Sequence, residues 1–386
     1  MADRLFKPIK VGNSLLKNRV VMAPLTRFRA DKDHNVSEFA KEYYEQRASV
    51  PGTLLITEAT FVSGQAGGYP NIPGIWSEAQ VAGWKEVVDA VHKKGSFIYL
   101  QLWGLGRVAQ EKVLQEEGGW KVRSASAIAV PAEQTSTGKA GTTPDAMTED
   151  EIHQFIKDYA HGASNAIKAG FDGVEIHGAN GYLIDQFWQD VSNQRTDSWG
   201  GSIEKRAKFG LEVTKAIIHA VGDSKKVGIR LSPYVEFQGM GMGDRTIDNF
   251  TYITKELLKL DLAYIHFIES RISGSAADGV YRTAEDGTVE LDPFIKVVGT
   301  EVPIIIAGGY TPEKARKVVG DMYTSDNILI GFGRSFISTP DLPFRIQHNI
   351  ELNPYERKTF YTQGEGGYTD YPFSKEFLAA QASSRL

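Results

Sequence analysis

Short, nearly continuous apolar runs recur along the chain, separated by longer stretches whose apolar residues follow helical spacing. Eight such runs stand at 19–24, 53–59, 96–103, 171–177, 226–232, 262–269, 302–309 and 327–334. Their lack of polar alternation predicts strands covered on both faces, as in a parallel sheet. Amphipathic helices are predicted over 37–49, 77–94, 148–169, 202–221, 246–260 and 311–320. Thr148 is followed three residues later by Glu151, a capping-box pattern. Ala163, Ala166 and Ile167 continue the apolar stripe of that helix, which Gly170 would cap. Strand and helix alternate, and eight is the strand number that closes a barrel. No linker divides the chain, so the expectation is one α/β domain over 1–386, a single (β/α)8 TIM barrel.

Two stretches depart from the repeat. Residues 105–147 carry Gly118, Gly119, Pro131, Gly138 and Gly141 and no helical period. So long a gap predicts an excursion such as a hairpin, lid or capping loop. Because it follows the third strand, it should lie over the C-terminal mouth of the barrel, where this fold holds its sites. Residues 353–370, rich in Gly and Tyr, follow the eighth strand as a C-terminal extension over the same mouth.

Composition narrows the chemistry. The 386 residues are 41% hydrophobic and 24% charged, an ordinary globular balance. A net charge of −5 without a Lys/Arg block gives nucleic acid no electrostatic footprint. With no cysteine, a disulfide framework, a Cys-ligated zinc, an iron–sulfur cluster and a thiol nucleophile are excluded. The first ten residues lack the apolar core of a signal peptide, and no run reaches the ~18 apolar residues of a membrane span. A cytoplasmic protein is expected, with a peroxisomal alternative. Ser384-Arg385-Leu386 is a conservative variant of the Ser-Lys-Leu address, against a chance tripeptide at the tail.

The ends of the eight runs carry specific side chains. Gly308 and Gly309 close the seventh, and Gly331, Gly333 and Arg334 close the eighth. Loops at these two places form the common phosphate site of the barrel, where glycine lets backbone N–H groups approach and a cation neutralises charge. Tight βα turns would use the same glycines. The fourth run ends in His177, followed by Asn180 and Tyr182. His177 and Asn180 can both donate to one ligand oxygen, and the Tyr182 phenol can deliver a proton at neutral pH. Arg230 would point into the mouth with Gln101 and Thr26, a cation, an amide and a hydroxyl able to surround a planar, electron-rich heterocycle. A plainer reading pairs Arg230 with Glu58 or Glu175. No metal site is read.

These residues sit in motifs that resemble the old yellow enzyme family of FMN-dependent ene-reductases. The resemblance runs from LFKPIKVGNSLLKNRVVMAPLTRFRA through AGFDGVEIHGANGYLIDQF and NQRTDSWGGSIEKRAKF to FYTQGEGGYTDYPF. Within the family the chain looks most like fungal members, both general ene-reductases and the ergot-alkaloid enzymes that act on an unsaturated aldehyde. The resemblance implies tightly bound, non-covalent FMN across the mouth and NADPH as reductant. Ala23, Pro24, Leu25 and Thr26 would pack on the flavin, with the Thr26 hydroxyl on its O4, and Ala59 would lie beside them. Gln101 would bind the pyrimidine edge, Arg230 would face N1, and Gly308, Gly309, Gly331, Gly333 and Arg334 would hold the phosphate. His177 and Asn180 would bind the carbonyl oxygen of an α,β-unsaturated aldehyde or ketone, with Tyr182 protonating the α-carbon. Trp103, Phe237 and Tyr361 would shape the substrate pocket. A monomer or homodimer is expected. In the ergot-alkaloid branch Tyr, rather than Phe, at this position goes with net reduction, so Tyr182 favours a reductase.

One departure stands in 271–279, all small or polar after Arg271 and Ile272 and before Tyr281, where many relatives carry an aromatic residue. It predicts a roomier pocket or a lid. Other classes remain open on the residues alone. A barrel glycosidase would pair Glu58 with Glu269, and a non-catalytic binding barrel would keep the fold without the chemistry. A Schiff-base aldolase is disfavoured, since no predicted strand ends in Lys.

Overall fold

A computed structural model describes residues 3–134, 138, 140–269 and 291–383. Eight parallel strands form the wall: β1 (Val20–Met22), β2 (Leu54–Ile56), β3 (Phe97–Trp103), β4 (Gly173–Gly178), β5 (Val227–Leu231), β6 (Tyr264–Ile268), β7 (Ile304–Ala307) and β8 (Ile328–Phe332). Each pairs with the next, and β8 pairs back onto β1, so the sheet closes into the expected barrel. Every strand falls inside one of the eight apolar runs, except that β4 runs one residue past the fourth, to Gly178. They are apolar throughout because one face packs on the outer helices and the other fills the barrel.

The inward positions follow from register. Tyr99 on β3 lies opposite Gly173 on β4, and Tyr264 on β6 opposite Gly228 on β5. A Cβ added at either glycine would meet the facing tyrosine ring at 2.3 Å, so the small residues make room for the two rings at the barrel floor. Below them the antiparallel pair Ile9–Val11 and Ser14–Leu16 plugs the bottom. Two residues further up each strand the interior turns polar: Gln101 faces Glu175, and Arg230 faces both His177 and His266.

The predicted helices appear at Ala40–Arg47, Glu78–Lys93, Glu149–Lys168, Ile203–Val221, Thr246–Leu258 and Pro312–Lys317. Thr148 and Glu151 form the capping box read from the sequence. Ala169 caps the other end, and Gly170 follows with φ +97°, a backbone state that glycine enters at no steric cost. The excursion holds a helix that no periodicity revealed, Glu111–Gly118, with Leu114 its one buried residue. Eight residues with one core contact leave no stripe to detect. Its flanks, Arg123–Ser124 and Asp145–Ala146, pair in parallel and do not form a hairpin. Further unpredicted helices are Leu183–Trp188, Asp292–Val298, Arg334–Ser338, Leu342–His348 and Lys375–Ser383.

The C-terminal extension folds back over the mouth because two buried arginines hold it. Arg27 donates to the carbonyls of Phe360 (3.0 Å) and Gly367 (2.7 Å), and Arg29 to those of Thr359, Gly364 and Gly366. Both guanidinium groups lie against the Tyr368 ring. Among the described residues no helix is long and apolar enough to cross a membrane. The segment 271–279 with Tyr281, and the Ser384-Arg385-Leu386 tail, lie outside the described residues.

Candidate active site

One pocket of about 1230 Å³ opens at the C-terminal ends of the strands. That exceeds the roughly 300–1,000 Å³ of a single small-ligand site, which leaves space for a cofactor and a substrate together. Pro24, Leu25 and Thr26 after β1, Ala59 after β2, Gln101 and Trp103 on β3 and Arg230 on β5 line it. So do His177 on β4, Asn180 and Tyr182 beyond it, Phe237 after β5, Arg334 after β8, and Tyr361 from the C-terminal extension. Thirteen of the eighteen residues singled out in the sequence therefore share one cavity wall.

The other five are Ala23, Gly308, Gly309, Gly331 and Gly333, which do not line that wall. Gly309 and Arg334 nonetheless bring the loops after β7 and β8 together, since a Cβ on Gly309 would come 3.6 Å from the Arg334 guanidinium. Arg334 also donates to the Tyr355 hydroxyl at 3.0 Å. Gly331 lies within β8, opposite Val21 and Ala307, and its missing side chain serves wall packing.

The polar interior beneath the pocket is a connected network. Gln101 Nε2 donates to Glu175 Oε1 (2.7 Å), and His266 Nδ1 bonds Glu175 Oε2 (2.8 Å). Burial works to raise the Glu175 pKa, but His266, the Arg230 charge and the Gln101 amide outweigh it, so the carboxyl sits below its ordinary value. Glu175 is thus the carboxylate whose charge Arg230 feels, and Glu58 is not. Glu58 instead accepts the Arg27 backbone N–H, and burial pushes its pKa up to about 7. Glu269 accepts from the Tyr310 hydroxyl. Neither Glu58 nor Glu269 lines the pocket, so the paired carboxylates of a glycosidase do not meet there.

Part of the lining is aromatic. The Trp103 and His177 rings lie near-parallel, 6.0 Å apart, and Tyr182 stands edge-on to both at 4.7 and 4.9 Å. Burial, with help from the Arg230 and His266 charges, holds the His177 pKa well below 6.5, so the ring is neutral at pH 7. Burial and the neighbouring Tyr69 hold the Tyr182 phenol well above 10, so it is protonated there. Phe28, Tyr69, Arg107 and Gln238 also line the pocket and carried no signal at a strand end. Phe28, with φ +56°, and Gln238, with φ +64°, occupy left-handed backbone that sequence patterns do not mark.

The donor set fits a planar heterocycle with an anionic tail. Trp103 Nε1, His177 Nδ1 and Arg230 Nε are buried and have no hydrogen-bond partner among the described residues, and all three side chains border the pocket. Buried polar groups without partners are uncommon and point to a ligand or ordered water. Among the described residues no group of three His, Asp or Glu could hold a metal.

Comparison with known proteins follows the same lines. The sequence model of the NADH:flavin oxidoreductase / NADH oxidase family matches residues 4–353. A chanoclavine-I aldehyde reductase of Penicillium roqueforti is 52% identical over 378 residues, 98% of each chain. An NADP-dependent oxidoreductase of Aspergillus flavus is 49% identical over 97% of this chain and 98% of its own. A probable inactive reductase of Epichloe festucae var. lolii is 48% identical over 97% of both. The crystal structure of old yellow enzyme from a Pichia species superposes with a TM-score of 0.86 at 41% identity, over 97% of this chain and 94% of that one.

Proposed function

The chain belongs to the old yellow enzyme family of NADH:flavin oxidoreductases, and from that premise we propose that it is an FMN-dependent ene-reductase that uses NADPH to saturate the C=C bond of an α,β-unsaturated aldehyde or ketone. The observation that carries this reading is the meeting of two donor sets in one pocket: Thr26, Gln101 and Arg230, and His177, Asn180 and Tyr182. The volume is large enough for flavin and substrate at once.

Bound FMN would supply the redox chemistry, accepting a hydride from NADPH and passing it to the substrate β-carbon. The chain's own residues do the rest. Pro24, Leu25 and Ala59 provide an apolar seat, and Arg230 offsets negative charge on the reduced heterocycle. Neutral His177 and the Asn180 side chain donate to the carbonyl oxygen, where enolate charge develops. Tyr182 delivers the proton to the α-carbon, and its raised pKa keeps that proton in place until the carbanion demands it. One NADPH and one proton are consumed for each C=C bond saturated.

The 52% identity to a chanoclavine-I aldehyde reductase favours a bulky, unsaturated aldehyde of secondary metabolism within this class. The aromatic wall of Phe28, Tyr69, Trp103, Phe237 and Tyr361 suits a flat polycyclic substrate. Some relatives are named probable inactive. Here the oxygen-binding and proton-donor positions are all filled and share one cavity, which supports an active enzyme.

The test is the visible spectrum of the purified protein, recorded before and after anaerobic NADPH and then after 2-cyclohexenone. A flavin band that bleaches and returns supports both half-reactions. A colourless protein that FMN cannot reconstitute would leave a binding barrel.

A further inference from the structure

His177 ends on a rigid strand, but Asn180 sits on a turn, and a turn must be held if its amide is to share a ligand oxygen with the imidazole. Asn180 and Gly181 are consecutive left-handed residues, φ +58° and +74°. Gly181 has no alternative, since a Cβ there would come 2.7 Å from Met240 Cγ. Asn180 adopts a conformation that L-residues seldom enter.

Successive backbone N–H groups in such a turn point the same way and make a cradle for an anion. Here the cradle is filled from within the fold. Gly181 N–H donates to Asp185 Oδ2 at 2.9 Å. Asn180 N–H donates to Ser232 Oγ at 2.7 Å, and the Ser232 hydroxyl lies close enough to the Asp185 carboxyl to lower its pKa. Gln189 Nε2 donates to the remaining oxygen, Asp185 Oδ1, at 2.8 Å. Asp185 and Ser232 are both fully buried. An ionised carboxylate accepts and never donates, so all three neighbours orient toward it. The two turn carbonyls are held as well: Gln238 Nε2 donates to Asn180 O (2.9 Å) and Gln186 Nε2 to Gly181 O (2.7 Å).

We propose that Asp185, acting directly on Gly181 and through Ser232 on Asn180, is a positioning residue for the substrate-oxygen site: its buried carboxylate fills the turn's backbone cradle and holds the Asn180 amide beside His177. The inference rests on the reading of His177 and Asn180 as the oxygen-binding pair. Asp185 does not line the pocket, so it acts through its neighbours. Replacing it by the isosteric amide puts an NH2 group against at least one of three donors, and the turn is then free to leave its left-handed state.

The experiment is a double-mutant cycle on the FMN-loaded enzyme, with p-chlorophenol as probe, followed by the absorbance change it causes in the oxidised flavin. Thermal midpoint and flavin content are recorded for each variant. Asp185→Asn is expected to weaken p-chlorophenol roughly tenfold, about one good hydrogen bond, with flavin content retained. In an Asn180→Ala background the same change should cost nothing further, because its effect runs through the Asn180 amide. Wild-type affinity in Asp185→Asn, or an equal loss in both backgrounds, would overturn the proposal. Should Asp185→Asn fail to fold, Ser232→Ala run through the same cycle decides, since it keeps the carboxylate and removes only the link to Asn180. A wild-type holoenzyme that takes no p-chlorophenol would overturn the oxygen-site reading, and this inference with it.

Discussion

His177 on β4 lies directly opposite Arg230 on β5, so the two side chains rise from adjacent strands to the same level of the barrel mouth. Their juxtaposition sets the charge state of the site. Burial and then the guanidinium charge keep the imidazole neutral, so under the proposed function the ring would hydrogen-bond a developing oxyanion without adding a second cation.

The ring should therefore not titrate near its ordinary 6.5. Its folded-state pKa lies below the unfolded value, so the unfolded chain takes up the proton first as pH falls. This contribution to stability is full above about pH 6.5 and is lost as pH drops from there toward the folded-state pKa. Nitrogen NMR of the His177 ring should show the neutral form still dominant at pH 6.5, with any midpoint displaced to lower pH; a midpoint near 6.5 would contradict the burial argument.

Tyr182→Phe removes one oxygen and keeps the ring that packs on Trp103 and His177. Enone reduction should slow by roughly 10²–10⁴, the ordinary worth of a general acid. Flavin reduction by NADPH should stay close to wild type. Stopped-flow measurement of the two half-reactions separates them, and an equal loss in both would remove Tyr182 as proton donor.

Changing His177 or Asn180 to Ala should weaken phenols, whose phenolate oxygen imitates the enolate. Each donor lost should cost roughly 1.5–3 kcal/mol, since the acceptor is charged. Titration of either variant with p-chlorophenol checks this, and unaltered affinity would dismiss that residue from the oxygen site.

Arg27→Met should loosen the C-terminal extension that carries Tyr361 into the pocket. The Gly367 carbonyl loses its Arg27 donor, at about 1–3 kcal/mol if it is left buried and unpaired, and the Phe360 carbonyl keeps only the Arg29 guanidinium at 3.3 Å. Urea unfolding should show the loss, and amide exchange should quicken across 359–368 ahead of the barrel strands. Uniform exchange would mean that the extension is held by other contacts.

Gly308→Ala should destabilise the end of β7. The new methyl would stand 2.8 Å from Glu269 Cβ and 3.0 Å from its Oε2, and forcing one carbon into such a place costs about 1–3 kcal/mol. The midpoint of urea unfolding should fall. An unchanged midpoint would show that the Glu269 side chain gives way freely.

Much of this was legible in the residues because barrel geometry is local. A strand covered on both faces must be apolar along its length, and its last residues must face the mouth. The run ending at His177 and the one holding Arg230 therefore announced both their structure and their position. Glu111–Gly118 was illegible for the opposite reason, having a single buried residue and no period. Gln186 escaped notice too, although it is fully buried and ties Leu105 and Arg107 in the excursion to the Gly181 turn. A lone glutamine in a short apolar helix carries no pattern.

What the sequence determined by itself was the strand count, the closed barrel and the order of side chains around its rim, since each follows from spacing along a few residues. Tertiary structure decided the partnerships. It set Arg230 in the field of Glu175 and not of Glu58, withdrew Glu58 and Glu269 from the pocket, and filled the turn at Asn180 with Asp185. It also joined Arg27 to Phe360, 333 residues away along the chain. Such contacts depend on which buried charge finds which donor once the barrel has closed, and no local periodicity encodes that.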